Sequence, residues 1–154
     1  MGWLIEKMLL VLQRCKSAEV FVSKKVIAKI KLGLVLLLGI EKKDSLKDVL
    51  FLVNKVTSLR VFNDDNDKIN LSINNVKGSI LVVSQFTLCG DTTKGRRPSF
   101  INSAEPAKAK KLYDNFISEL KRKGIKCKNG AFGAHMELKL NNDGPFTLIM
   151  NSNK

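Results

Sequence analysis

The stretch Ser79-Ile-Leu-Val-Val-Ser-Gln-Phe-Thr-Leu-Cys89, set between Gly78 and Gly90, decides how the rest of the chain is arranged. Ile80, Leu81, Val82 and Val83 form a short continuous apolar run, the pattern of a strand covered on both faces. Read as a strand over 79–88, it carries Ser84, Gln85 and Thr87 at its far end. A buried polar group without a partner costs about 1–3 kcal/mol, so two hydroxyls and an amide here require partners. Two readings fit: backbone groups satisfy them, or they line a site.

Upstream of this strand, Leu9–Leu12 reads as a strand closing on Gln13-Arg14. Ala18–Val22 and Val26–Ile30 read as a hairpin turning at Ser23-Lys24-Lys25. Val26, Ala28 and Ile30 alternate with lysines, the period of a half-exposed strand. Gly33 precedes Leu34–Leu38, a central strand. Asp44 or Ser45 then caps a helix whose buried face is Leu46, Val49, Leu50, Val53, Val56 and Leu59. Ile69–Ile73 is a short strand.

Downstream comes the polar loop Asp91-Thr-Thr-Lys-Gly-Arg-Arg-Pro-Ser-Phe100. Pro106 opens a second helix, with Ala109, Leu112, Tyr113, Phe116, Ile117 and Leu120 as its buried stripe, and Gly124 ends it. Asn129-Gly130 predicts a hairpin turn. Met136, Leu138 and Leu140 alternate with charged residues, Asn141–Pro145 interrupts, and Phe146–Met150 finishes the fold. The expectation is a single α+β domain: mainly antiparallel β-sheets with two principal helices packed on them.

Composition narrows the class of function. There are 27 Lys+Arg against 14 Asp+Glu, a formal charge of +13, which favours a polyanionic partner such as nucleic acid. The three cysteines, Cys15, Cys89 and Cys127, are far apart and lack a C-x-x-C pair, so a reduced intracellular compartment is expected rather than a disulfide framework. The longest apolar run falls far short of a membrane helix, and no membrane association is expected. In the acidic loop 63–68, counted from Asp64, Lys68 occupies a ligand position of a calcium loop and no Glu follows at the right distance, so no metal is expected there.

Gly90-x-x-x-x-Gly95 imitates a phosphate loop, but Arg96-Arg97 replaces the Lys-Ser/Thr that nucleotide hydrolysis uses. Lys94, Arg96 and Arg97 read better as a patch contacting an RNA backbone. His135 is the sole histidine, and a Ser-His-Asp relay would have to pass through it. No paired carboxylates are legible from spacing. Gly144-Pro145 reads either as a tight turn or as a cis peptide, and the residues alone do not choose.

Taken in order, Leu12-Gln13-Arg14, Leu59-Arg60-Val61-Phe62, Val82–Thr87, Lys94–Phe100, Phe132-Gly133-Ala134 with Met136, and Asn142–Thr147 resemble the D-aminoacyl-tRNA deacylase family of the bacterial and eukaryotic type. Ser-Gln-x-Thr and Asn-x-Gly-Pro-x-Thr are its signatures, and their joint presence is specific. The resemblance runs from Met8 onward, so residues 1–7 are an extension preceding a domain over 8–154.

The resemblance implies hydrolysis of the ester between a D-amino acid and the terminal adenosine of tRNA, with glycyl-tRNA also accepted. It implies a cytoplasmic homodimer with its active sites at the subunit interface, and no cofactor. Ser84, Gln85, Phe86 and Thr87 would be catalytic, with the Phe86 and Thr87 amides as the oxyanion hole. Gly144, Pro145, Met136 and Arg14 would bind substrate, the Gly-Pro pair entering from the partner and excluding L-residues. Two mechanisms follow: Thr87 as nucleophile, or water assisted by the ribose hydroxyl. The second is favoured, since no legible residue would activate a threonine. Phe146 stands where a smaller β-branched residue is common. A non-catalytic RNA-binding module is the competing reading, weakened by an aromatic content of only 6%.

Overall fold

The computed structural model describes residues 7–153, so positions 1–6 of the expected extension lie outside the described residues. Its organiser is β1 (Leu9–Val22), a 14-residue strand. One edge pairs antiparallel with β3 (Gly33–Gly39) over Leu9–Cys15 and with β2 (Lys25–Ile30) over Ala18–Val22. The other edge pairs antiparallel with β8 (Glu137–Asn151) from Leu9 to Phe21. The expected first strand and the first strand of the hairpin are thus one continuous element. Ser23 and Lys24 make the turn with φ of 49° and 68°.

Most of the pairings are antiparallel, as expected of this α+β domain, but the centre of the sheet is parallel. β3 pairs in parallel with β6 (Ser79–Ser84), and β6 in parallel with β7 (Lys126–Asn129). Parallel neighbours need long crossovers, and the two helices supply them. Helix α1 (Leu46–Ser58) lies between β3 and β6 in sequence, together with the small hairpin β4 (Phe62–Asn63) and β5 (Ile69–Leu71). Helix α2 (Pro106–Arg122) lies between β6 and β7.

Period-2 alternation sorts the central residues into two cores. Leu34, Leu36, Leu38, Ile80 and Val82 face the helices and pack with Val49, Leu52, Val53, Val56, Leu112, Tyr113, Phe116, Ile117 and Leu120. Val35, Leu81 and Val83 face the other way, against Ala18, Val20, Ala28 and Ile30 of the curled β1–β2 end. β6 is therefore buried on both faces, as its unbroken apolar run predicts. The α1 stripe is narrower than expected, because Leu46 and Leu50 are exposed and Leu52 takes the buried place.

Three further expectations are corrected. The strand read over 79–88 stops at Ser84, and Phe86–Cys89 winds into a 3-10 turn. Asn129-Gly130 makes no hairpin: the Gly130 amide donates back to the Val82 carbonyl at 2.9 Å, and the chain leaves β7 for β1's far edge. The interruption at Asn141–Pro145 is an irregularity inside β8, opposite Gln13–Cys15. Ser45 is the cap of α1, its amide donating to Asp48 Oδ2 at 2.8 Å. Asp44 instead accepts the Met8 amide at 2.9 Å and the Glu41 amide at 2.7 Å, tying the start of β1 to the loop before α1.

Candidate active site

The site is built where β6 ends. Gln85 makes one last ladder bond, its amide donating to the Leu38 carbonyl at 2.8 Å, and then the chain turns. The turn sits directly on the end of β3. A Cβ on Gly39 would lie 2.9 Å from Leu88 Cβ and 3.1 Å from the Gln85 carbonyl, so only glycine lets the two segments approach this closely. Beneath the turn, Cys89 Sγ reaches the Ile40 carbonyl at 3.6 Å, and burial pushes its thiol up to about 12. The first amides of any helical turn point away from its carbonyls. Accordingly, neither the Phe86 nor the Thr87 N–H has an acceptor among the described residues.

Of the polar trio, Gln85 Nε2 donates to Thr87 Oγ1, while half-buried Ser84 lines a cavity of about 580 Å³. The backbone has not absorbed them. Ser84, Gln85 and Phe86 form one wall, Pro106 and Ala109 of α2 a second, and Phe132–Met136 a third. His135 is the one titratable side chain in that lining. The third wall is fixed from behind by Tyr113, whose hydroxyl donates to the Val82 carbonyl at 3.0 Å and lies 3.3 Å from that of Gly130. Its ring meets Phe132 at 5.6 Å, and burial raises its pKa above the usual phenol range. Gly130 leaves room for Met136, whose sulfur would sit 2.7 Å from a Cβ there.

Thr87, Arg14, Gly144 and Pro145 lie outside this lining. Ladder pairs carry Ser84 across Leu38 and Leu10 to Met150 on β8, whereas the Gly-Pro peptide falls between Asn142 and Thr147. Three strand spacings across and roughly four residues along separate them by on the order of 20 Å within one chain. The Gly144–Pro145 peptide is cis, and both residues are exposed.

The Asn-x-Gly-Pro-x-Thr pattern has a local reason. Asn142 Oδ1 accepts the Phe146 amide at 2.6 Å, and its Nδ2 donates to Thr147 Oγ1 at 3.1 Å, so the ends of the motif close on each other. Gly144 has φ +133°, and a Cβ there would lie 3.1 Å from Arg14 Nη2.

Arg14 is buried beneath this excursion. Its Nε donates to the Asp143 carbonyl at 3.0 Å, and Nη1 donates to the Val61 carbonyl at 2.8 Å and to Asn63 Oδ1 at 3.1 Å. The guanidinium carbon stands 4.8 Å above the ring of Phe146. Phe146 therefore fills space under the Gly-Pro segment and forms no part of the cavity wall. Asp64, in the acidic loop, is occupied by the Asn66 and Lys68 amides at 2.9 and 3.0 Å.

Lys94, Arg96 and Arg97 are exposed on a loop closed by reciprocal backbone bonds between Asp91 and Ser99 at 2.7 and 2.9 Å. Phe100, just past that closure, packs edge-on against Phe86 at 5.1 Å, so the loop stands beside the first cavity wall. The sequence had placed Pro106 and Ala109 only as helix start and core stripe. Nothing in their residue type distinguishes a cavity wall from a core face.

The family model described as D-Tyr-tRNA(Tyr) deacylase matches residues 11–151. A protein of Thermosipho melanesiensis named D-aminoacyl-tRNA deacylase is 52% identical over 145 residues, covering 94% of this chain and 97% of that protein. One of the same name from Fusobacterium nucleatum is 51% identical over 142 residues, covering 92% and 94%. A solved structure titled c-Myc DNA Unwinding Element Binding Protein superposes with a TM-score of 0.89 at 36% identity, covering 95% of this chain and 99% of that one. A second, titled as a probable eukaryotic D-amino acid tRNA deacylase, shares the fold with a TM-score of 0.81 at 19% identity, covering 94% and 98%.

Proposed function

The chain belongs to the D-Tyr-tRNA(Tyr) deacylase family, and from that membership we propose that it hydrolyses the ester joining a D-amino acid to the terminal adenosine of tRNA. Water adds its hydroxyl to the acyl carbon and its proton to the ribose oxygen, releasing free D-amino acid and tRNA. The observation that carries this reading is the pair of amides, Phe86 and Thr87, that have no acceptor among the described residues, beside a cavity whose lining holds one titratable side chain. An activated ester needs orientation and donors at the developing oxyanion more than it needs an acid and a base. Each such donor is worth about 3 kcal/mol of transition-state stabilisation.

The attacking group is water assisted by the tRNA ribose hydroxyl. Thr87 is a poor nucleophile here because its oxygen accepts a hydrogen bond from Gln85 Nε2 and none of the described residues is placed as a base beside it. Ser84 and Met136 shape the wall against which the terminal nucleoside rests.

The working unit is a homodimer. The on-order-20 Å separation within one chain and the exposure of Gly144 and Pro145 support their entry into the cavity of a second copy. There the two carbonyls hold the substrate ammonium, and the main chain collides with an L side chain, so selectivity comes from exclusion. Glycyl-tRNA passes the same screen. Arg14 acts through the segment it holds. Lys94, Arg96 and Arg97 contact phosphate near the 3′ end. The cytoplasm, where aminoacyl-tRNA is made and used, is the proposed location.

The test is incubation of purified protein with D-Tyr-tRNA and L-Tyr-tRNA. Loss of the D ester alone is expected. Binding of both without release of either amino acid would instead favour a non-catalytic RNA-binding module.

A further inference from the structure

A second basic surface lies apart from the 94–97 loop. Where α2 turns into β7, Gly124 takes φ +80°, and its amide donates to the Lys121 carbonyl at 2.9 Å. Lys121, Arg122 and Lys123 end α2, and Lys126 and Lys128 follow on β7, all five exposed. Lys126 and Lys128 stand on the sheet face away from the helices, since Leu81, the ladder partner of Lys128, packs in the second core while Cys127 packs with the first. Lys126 pairs with Ser79, and exposed Lys77 stands two residues before it. From Glu119 to Gly130 the only acid is Glu119 itself, which holds Arg122 loosely at 3.5 Å. Lys126 and Lys128 project from the same face of an edge strand, roughly 7 Å apart.

β7 also points at the cavity. Its last residue, Asn129, leads through Gly130 into the wall formed by Phe132–Met136. The basic residues and the cavity therefore lie along one short element, Lys126 about 13 Å and Lys128 about 7 Å from Gly130 along the strand direction. A rigid, rod-like polyanion whose end enters the cavity would lie over this edge. The 94–97 loop reaches the cavity by a different wall, that of Phe86.

Resting on the tRNA reading above, we propose that the α2–β7 corner and the outer face of β7 carry the double-helical acceptor stem. Lys126 and Lys128 lie on its phosphates while the single-stranded 3′ end turns into the cavity. The surface reads charge and shape and makes no base contact, as expected for an A-form duplex held by lysines.

The experiment compares the full-length protein with the pair Lys126→Glu, Lys128→Glu on two substrates, D-Tyr-tRNA and the 3′ ester of D-tyrosine with adenosine alone. The ratio of kcat/KM on tRNA to that on the nucleoside ester should fall at least about tenfold in the variant. The slope of log kcat/KM against log salt on tRNA should flatten by about two. The neutral pair Lys126→Gln, Lys128→Gln should give a smaller loss in the same direction. Wild-type ratio and slope in both variants would overturn the assignment. So would a duplex DNA that competes with tRNA equally well and loses the same factor, since that marks a general polyanion surface. A wild-type protein that cleaves neither ester removes the deacylase reading itself, an outcome distinct from loss confined to tRNA.

Discussion

Arg14 Nε and the Asp143 carbonyl meet at 3.0 Å, which places a buried guanidinium directly behind the residue that precedes Gly144. The same group serves Val61 and Asn63, so one side chain links β1, the segment after α1 and the Gly-Pro excursion. Only a planar fork can donate in these three directions at once.

Replacing it should therefore be costly. Arg14→Ala leaves buried carbonyls unpaired and should lower unfolding free energy by about 2–4 kcal/mol in urea titration. Arg14→Lys should recover less than half of that loss. A variant as stable as wild type would mean the acceptors find water instead.

Gly39→Ala tests the seat of the 3-10 turn. The added methyl meets Leu88 Cβ and the Gln85 carbonyl, so the turn carrying the Phe86 and Thr87 amides must shift. Stability should drop by about 1–3 kcal/mol. kcat should fall by between about tenfold and a hundredfold, because sub-ångström placement of donors governs the barrier. Unchanged kcat would separate these amides from the chemistry.

Thr87→Ala distinguishes the two mechanisms. With ribose-assisted water, kcat/KM should stay within about threefold of wild type; removal of a true nucleophile costs more than about a thousandfold.

Asp44 supplies a pH dependence. Burial raises its pKa above 3.8, although the Met8 and Glu41 amides oppose that rise. A carboxyl whose folded pKa is raised contributes most to stability below its unfolded value and less as pH climbs through the folded value. The unfolding free energy of wild type minus that of Asp44→Asn should accordingly decrease as pH rises from 3.8 and then level off. An increase over that range would show that the two amides outweigh burial.

Some of this was legible in the residues and some was not. The run Ile80–Val83 and the stripe from Leu112 to Leu120 are local patterns with one physical solution each, whereas the α1 cap had two candidates, Asp44 and Ser45, and only the tertiary bonds that engage Asp44 leave the role to Ser45. The parallel pairing of β3, β6 and β7 was hidden because a strand's residues do not reveal which neighbour lies alongside. Asn129-Gly130 carries a strong hairpin preference, yet the Gly130 amide finds Val82, and tertiary pairing wins. The Ser-Gln-x-Thr signature pointed to the edge that lines the cavity, but the close seat of the turn after Ser84 depends on Gly39, forty-five positions earlier. The walls from Pro106 and Ala109 are shape, and composition does not encode shape.

The pairing of β1 with β8 sets a schedule for assembly. Leu9 lies opposite Asn151, so the strand made first on the ribosome keeps one edge open until the strand made last emerges. Closing a loop that spans nearly the whole chain is slow, and that open edge is where a nascent chain is vulnerable to pairing with a neighbour. Stop codons or nicks within β8 should thus yield sticky, chaperone-dependent products, even though every cavity-lining residue except Leu138 precedes that strand.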